Sequence, residues 1–491
     1  MLDSENSRPP WSREETALLN HATVGERAAV QPACCPGPRK PGIVSSRSGK
    51  HPDDLEDTVS TTHHTRPRTM SRRSFARLGG LAGALGWLEL PAWAAPQTPA
   101  LSAAPAGADE AYWQRIRQQF LMPPGLTIVN AANLCPTSVP VIEAVYRATR
   151  DVDADPSMPN RRKLSDAKEQ ARRTVAAALR VTPEEVVITR NTSEGNNFVS
   201  SGIDLKAGDD VLVSAENHPS LLNAWDEKAK RFGFSVRRVA HPSPHPGHPA
   251  IVEAFRAAFT PATRVVAFTH VTASAGDLFP AREICRLARE RGALSIVDGA
   301  QSFGVLDIDL ADMQPDFFTG SAHKWPCGPR EVGVLFVSRQ IEAKLWPSVV
   351  SLYAGAVGVS RRVEGLGQRN EPAIVGMAEA LTLQATIGRS AIEARSRRLA
   401  QILLAELRRL DGVRVWTSPD PAHSAAIVTF QPGGLDPAKL ATALYERERI
   451  ACSARSGADR PGLRLSPHFY NSVAEIERVV AAIRRYLASG V

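Results

Sequence analysis

The chain has 491 residues, 43% of them hydrophobic, which is enough for two or three domains around a large core. Its formal charge of +8 is diffuse, with no basic stripe interleaved with aromatic residues, so a nucleic-acid partner is not expected. Six cysteines (Cys34, Cys35, Cys135, Cys285, Cys327 and Cys452) show neither paired metal spacing nor a disulfide framework, and no metal site is expected.

Residues 1–69 are rich in Pro, Ser, His and charge without a sustained period, and read as disordered or as an over-extended start. Met70 is the better start. The stretch 70–94 resembles a twin-arginine signal peptide: paired Arg72 and Arg73 before Phe75, an apolar run from Leu78 to Leu90, and a small-x-small site at Ala92 to Ala94. That run is too short for a transmembrane helix and no lipobox cysteine follows, so a soluble periplasmic protein without a stable membrane anchor is expected. A Pro/Ala-rich linker, 95–108, follows.

From Asp109 helix and strand patterns alternate. Strands are predicted at Val186 to Thr189, Val211 to Ser214, Ser235 to Val239, Val265 to Thr269, Leu294 to Asp298, Asp316 to Thr319 and Val332 to Val337. Helical periods between them, such as Leu164 to Leu179, Pro219 to Phe232 and Ala281 to Arg291, argue for an α/β fold: a mostly parallel seven-stranded sheet covered on both faces. Composition changes after about Glu379, which separates a large domain, 109–379, from a smaller C-terminal α+β domain, 380–491. In the latter a helix from Ile392 to Leu410, strands near Val413 to Trp416 and Ala425 to Phe430, and helices Pro437 to Glu446 and Val473 to Leu487 are predicted.

The run S-I-V-D-G-A-Q-S-F-G-V from Ser295 places Asp298 at the carboxyl end of a buried strand, where open α/β sheets bind ligands. There Asp298 can keep a pyridine nitrogen protonated, and Gln301 can donate to a phenolic oxygen on the same ring. The following D-F-F-T-G-S-A-H-K-W-P-C-G-P-R carries Ser321, His323 and Lys324, a lysine whose apolar setting favours the free amine that bonds an aldehyde. Upstream, I-T-R-N-T-S-E-G-N-N offers Thr192 and Ser193 at a helix N-terminus, a ready anion site. The pattern of Asp, Ala, Gln and then His, Lys, Gly, Pro resembles the class V aminotransferase family of pyridoxal-phosphate (PLP) enzymes over about residues 109 to 489. That family has the type I PLP fold and includes isopenicillin N epimerase-like proteins, cysteine desulfurases and C–S lyases.

The resemblance implies further roles. Lys324 is the attachment lysine; Thr192, Ser193, Ser321 and His323 hold the phosphate; His218, in A-E-N-H-P-S-L-L-N-A-W, stacks on the ring; Trp225 is left as core. Arg464, in P-G-L-R-L-S-P-H-F-Y-N-S, clamps a substrate α-carboxylate, with Arg455 and Arg161 as the next candidates. Gln368, where the family has a residue that reaches a neighbour's phosphate, implies a homodimer. Two departures bear on activity: the run H-V-T-A-S-A-G-D has Ala273 where desulfurases carry Asn, and the loop before Arg464 lacks a thiol, with Cys452 lying upstream in an apolar setting. The expected substrate is an amino acid or related amine. Transamination is favoured on family breadth alone, with epimerisation or C–S lysis as alternatives and a non-catalytic PLP-binding protein as the rival of another class.

Overall fold

The computed structural model describes residues 99–242, 244–455 and 460–491. The expected disordered start and signal peptide lie outside the described residues. The seven predicted strands all form, within two residues of the expected bounds: β2 Val186–Thr189, β3 Asp210–Ser214, β4 Ser235–Val239, β5 Thr263–Thr269, β6 Leu294–Asp298, β7 Phe317–Ser321 and β8 Gly333–Val337. They make one sheet in the order β2-β8-β7-β6-β5-β3-β4. All neighbours are parallel except β8, which runs antiparallel to both β2 and β7. Alternate residues of β3 and β5 enter two different cores. Leu212, Val266 and Phe268 face one, and Val211, Val213, Val265 and Ala267 the other, because helices cover both faces.

Three helices bear on the site. Helix α3 (Met158–Leu179) lies along β2, α4 (Thr192–Gly202) starts just beyond β2, and α5 (Pro219–Phe232) starts beyond β3. Trp225 of α5 is buried against Phe234, as expected of a core residue. Arg172 of α3 is fully buried and donates to the Val186 carbonyl at 2.8 Å and to Glu364 at 2.7 Å. Glu364 also accepts from the Ile188 N–H at 2.9 Å. The pair therefore pins the strand that feeds α4. Gly333 permits the next contact: a Cβ there would lie 2.5 Å from the Gly320 carbonyl and 2.9 Å from the Asn191 Cα.

Toward the C-terminus, α10 (Glu371–Ile387) and α11 (Arg389–Leu407) meet at Gly388. Glu379 thus lies within a continuous helix rather than at a break. A four-stranded antiparallel sheet follows, built from β9 (Val413–Val415), β10 (Val428–Pro432), β12 (Ser453–Arg455) and β13 (Gly462–Leu465), with α12 (Pro437–Glu448) and α13 (Val473–Ser489). The two-residue strand β1 (Thr127–Ile128) pairs in parallel with β11 (Ile450–Ala451), so the N-terminal segment is tied to this C-terminal part. One apolar cluster runs from Tyr112 through Phe268 to Tyr486 and joins both parts.

Candidate active site

The carboxyl ends of β6 and β7 set the two central groups. Asp298, the last residue of β6, is 2% exposed; it accepts from Asn196 of α4 at 3.0 Å and from the Ala300 N–H at 3.0 Å. Both bonds aim the carboxylate and leave it lone pairs for one more donor. Lys324 lies in the connection from β7 to β8, which closes on itself through Ala322 N–H to Val332 O at 3.0 Å, Gly328 N–H to Ala322 O at 2.8 Å and Cys327 N–H to Lys324 O at 2.9 Å. Burial pushes the Lys324 amine down to about 8; Asp298 opposes that shift and Arg464 adds to it. The free amine near neutrality, which bond formation with an aldehyde requires, is thus far more abundant than for an ordinary lysine.

The turn before α4 brings Thr192 and Ser321 together. The Thr192 N–H donates to the Ser321 hydroxyl at 2.9 Å and the two hydroxyls lie 2.9 Å apart, so β7 and the α4 N-terminus present one polar surface. Ser193 is exposed beside them and lines a cavity of about 640 Å³ with Arg190, Asn197, Gln368 and Arg369. Neither Lys324 nor Asp298 lines that cavity. The reacting centre is therefore assigned from its chemistry, at the lysine. His323 is half-buried, with its ring pushed to about 4 by burial and by Lys324.

His218 does two things. Its Nδ1 accepts from the Ser220 N–H at 3.2 Å and so caps α5, in a residue that is exposed overall but whose ring is partly desolvated by the site. Burial first and Lys324 second lower its pKa, and Asp298, Arg464 and Arg455 also act on it. All five expected groups therefore share one electrostatic neighbourhood. Gln301 is held by two protein partners. Its amide nitrogen donates to the Ala132 carbonyl at 2.9 Å and its oxygen accepts from the Trp325 indole at 2.9 Å, leaving a single amide hydrogen for a cofactor oxygen.

Arg464 of β13 and Arg455 of β12 converge on one acceptor, the Ala273 carbonyl, at 3.0 and 3.3 Å. No carboxylate among the described residues pairs with either, and the Nε of each is buried without a partner. Burial lowers Arg464 to about 10, with Arg455 adding to the shift. Arg460 differs: it is neutralised by Asp277 at 3.0 Å and Glu216 at 3.4 Å. Arg161 is also committed, to Gln368 and Glu371, which removes it as a carboxylate clamp. The polar run at 368–370 has partners of its own: Arg369 donates to the Ile188 carbonyl at 2.9 Å and Asn370 caps α10. Cys452 lies between β11 and β12 with its thiol pushed up to about 12 by burial, the reverse of an activated nucleophile.

The profile of the aminotransferase class-V family matches residues 134–479. The chain belongs to that family. It is 32% identical to the isopenicillin N epimerase of Amycolatopsis lactamdurans over 390 residues, 76% of this chain and 98% of that protein. It is 27% identical to a probable cysteine desulfurase of Methanothermobacter thermautotrophicus over 379 residues, 71% of this chain and 92% of that protein. Among solved structures, a C-DES mutant with glycine covalently linked to the PLP cofactor superposes with a TM-score of 0.69 at 22% identity, covering 75% of this chain and 98% of that one. The fold is type I and the cofactor is pyridoxal 5'-phosphate. The residues fit that group. A half-buried lysine with its pKa lowered, a buried carboxylate with spare lone pairs and a helix N-terminus joined to Ser321 match an aldehyde, a pyridine nitrogen and a phosphate in turn.

Two groups escaped the sequence reading. Asn196 orients Asp298 from 102 residues away, signalled only by the N-N pair after the anion turn. The sharing of the Ala273 carbonyl by two arginines has no local signal.

Proposed function

We propose that this protein is an amino-acid epimerase, one that removes and returns the Cα proton of a substrate whose carboxylate is held by Arg464. The observation that carries the reading is the pair of arginines at one carbonyl: a buried guanidinium without a counter-ion among the described residues is costly to keep unless a ligand neutralises it. Bound at Lys324, PLP supplies an electron sink for the charge left when a bond to Cα breaks. Arg464 takes the α-carboxylate and fixes the Cα–H bond relative to Lys324. Lys324, with its pKa near 8, accepts the Cα proton near neutral pH, and a proton delivered to the opposite face of Cα completes the inversion. Asp298, held by Asn196, keeps the pyridine nitrogen protonated, and the His218 ring limits motion of the cofactor face. Arg455 leaves a second positive centre beside the first, so substrates with a second anionic group fit better than simple alkyl amino acids.

Transamination was the expectation from family breadth. The similarity to isopenicillin N epimerase over almost its whole length moves the reading to epimerisation. A desulfurase is disfavoured because Cys452 is a half-buried thiol whose pKa is pushed up to about 12, so it stays protonated. The test is incubation of holoenzyme with L-amino acids in heavy water, with deuterium at Cα and chirality read together. Deuterated D-enantiomer is expected. A keto acid formed in proportion to enzyme, with the cofactor left as its amine, makes it a transaminase; sulfide release makes it a lyase.

The protein is also proposed to be a homodimer exported by the twin-arginine route. Exposed Trp346, Val350 and Leu352 lie in the segment that borders the cavity at Ser193 and Gln368, and a second copy is the occupant proposed for that face. Replacing Arg72 and Arg73 with Lys is expected to strand the holoenzyme in the cytoplasm; unchanged periplasmic delivery removes the export reading.

A further inference from the structure

We propose that Cys135 and Cys327 form a redox couple, which a small-molecule disulfide closes into an intramolecular bond that fastens the lysine turn to the segment after β1. Cys135 follows β1 and Cys327 stands three residues beyond Lys324. Their sulfurs and a ring nitrogen of His468 all lie within 4.8 Å of one another, and the three residues are buried. The backbones are already linked: the Cys135 N–H donates to the His323 carbonyl at 3.0 Å, and the Cys327 N–H to the Lys324 carbonyl at 2.9 Å. Cys327 holds φ at +57°, a left-handed conformation unusual for a residue other than glycine, so the surrounding fold holds its backbone in place.

Two thiols and an imidazole at this distance also suggest a metal, but the histidine is spent. His468 Nε2 lies 2.7 Å from the Trp325 carbonyl, which only accepts, so that nitrogen carries the proton. Nδ1 then accepts from the Ser396 hydroxyl at 2.9 Å, and neither nitrogen has a lone pair left for an ion. The thiols are lightly held by comparison. Cys135 Sγ lies 3.9 Å from the Ala131 carbonyl and 3.8 Å from the Tyr470 hydroxyl, and Cys327 Sγ lies 3.7 Å from the Trp325 carbonyl. Rotation of one side chain brings the sulfurs together without breaking a strong bond.

The order of reaction follows from access. Cys135 lines an open cavity of about 500 Å³ with Thr137, Tyr146, Gly328 and Pro329, whereas Cys327 lies behind it. The Cys135 thiolate attacks one sulfur of the reagent, whose S–S bond breaks and releases one thiol. Cys327 then loses its proton and attacks the Cys135 sulfur, expelling the second thiol. The protein loses two protons and two electrons, and the reagent becomes two thiols. Burial holds the Cys327 thiol well above its ordinary pKa, so the second step is slow and accelerates with rising pH.

The test is peptide mapping of full-length holoenzyme held with either oxidised glutathione or dithiothreitol, then denatured in alkylating reagent. Oxidised protein should give one cross-linked peptide pair, Cys135 to Cys327, lighter by two hydrogens and lost on reduction, with a Tm several degrees above that of the reduced form. Cys327→Ser should stop at a glutathione adduct on Cys135, and Cys135→Ser should give neither adduct nor cross-link. Both thiols alkylated after prolonged oxidation, a link from either to Cys34, Cys35, Cys285 or Cys452, or a bound metal removed by chelators would overturn the proposal. The wild-type map decides the matter even if a variant fails to fold.

Discussion

Arg464→Ala separates substrate binding from cofactor binding. The side chain is half-buried, has one hydrogen bond to a backbone carbonyl and no carboxylate partner among the described residues, so removing it strands no protein acid. Truncating one side of a buried charge pair costs about 2–5 kcal/mol, mostly for the partner left unpaired. In the complex that partner is the substrate carboxylate. Amino-acid binding should therefore weaken by about 30- to several-thousand-fold. Arg455 donates to the same Ala273 carbonyl and can swing toward the carboxylate, which places the single variant near the lower end and Arg455→Ala/Arg464→Ala near the upper. Removing Arg464 also removes a positive charge that depresses Lys324, so in the cofactor-free protein the lysine pKa should rise from about 8, while the variant should still take up the cofactor. The assay is spectral titration of holoenzyme with amino acids and with simple amines that lack a carboxylate. Amines should be affected little. An unchanged titration with every reactive amino acid, or equal losses for amines and amino acids, refutes the clamp.

Four further outcomes are expected. The rate at which apoprotein takes up PLP should rise with pH around a midpoint near 8, and Asp298→Asn should lower that midpoint because the carboxylate raises the lysine pKa; a midpoint near the ordinary 10.5 contradicts the site electrostatics. The sign for stability follows: the unfolded chain binds more protons at this lysine between those values, so the cofactor-free fold gains stability from it as pH rises from about 8 toward 10.5, measurable by denaturant titration. Glu364→Ala leaves Arg172 paired with Glu169 alone and strands the buried Ile188 N–H, for a loss of about 1–3 kcal/mol in the same measurement, and no measurable loss is incompatible with Glu364 pinning the strand. Light scattering should report a dimer, and a fully loaded monomer argues against the partner face proposed at Trp346 and Val350. Cys452→Ala should leave turnover unchanged and no persulfide should form on wild-type enzyme incubated with cysteine, whereas a persulfide abolished by that variant restores the desulfurase reading.

How much of this was legible in the chain depends on the range of the interactions involved. Strands β2, β3, β5, β6, β7 and β8 are buried on both faces and so read as continuous apolar runs. Their ends mark Asp298 and Lys324, because a local pattern of strand, small residue and polar group is all that position requires. The direction of β8 was not legible, since a strand has the same period either way. Helix α10 hid Glu379 for the opposite reason: Ala373, Ile374, Met377, Leu381, Leu383 and Gln384 bury it nearly all round, which erases the stripe that reveals a surface helix. The two-residue β1 has no pattern of its own and exists only through β11, over 300 residues away. The same distinction sorts the site. His218 was legible only through the family resemblance and its place after β3; its capping of α5 through the Ser220 N–H was not read from the chain. Asn196 on Asp298, Trp325 on Gln301, and Arg455 beside Arg464 are meetings of side chains that no local pattern encodes. Those meetings decide what a generic PLP scaffold does next: they aim the acid, take up most of the glutamine amide, and leave two cations at one carbonyl for the substrate to neutralise.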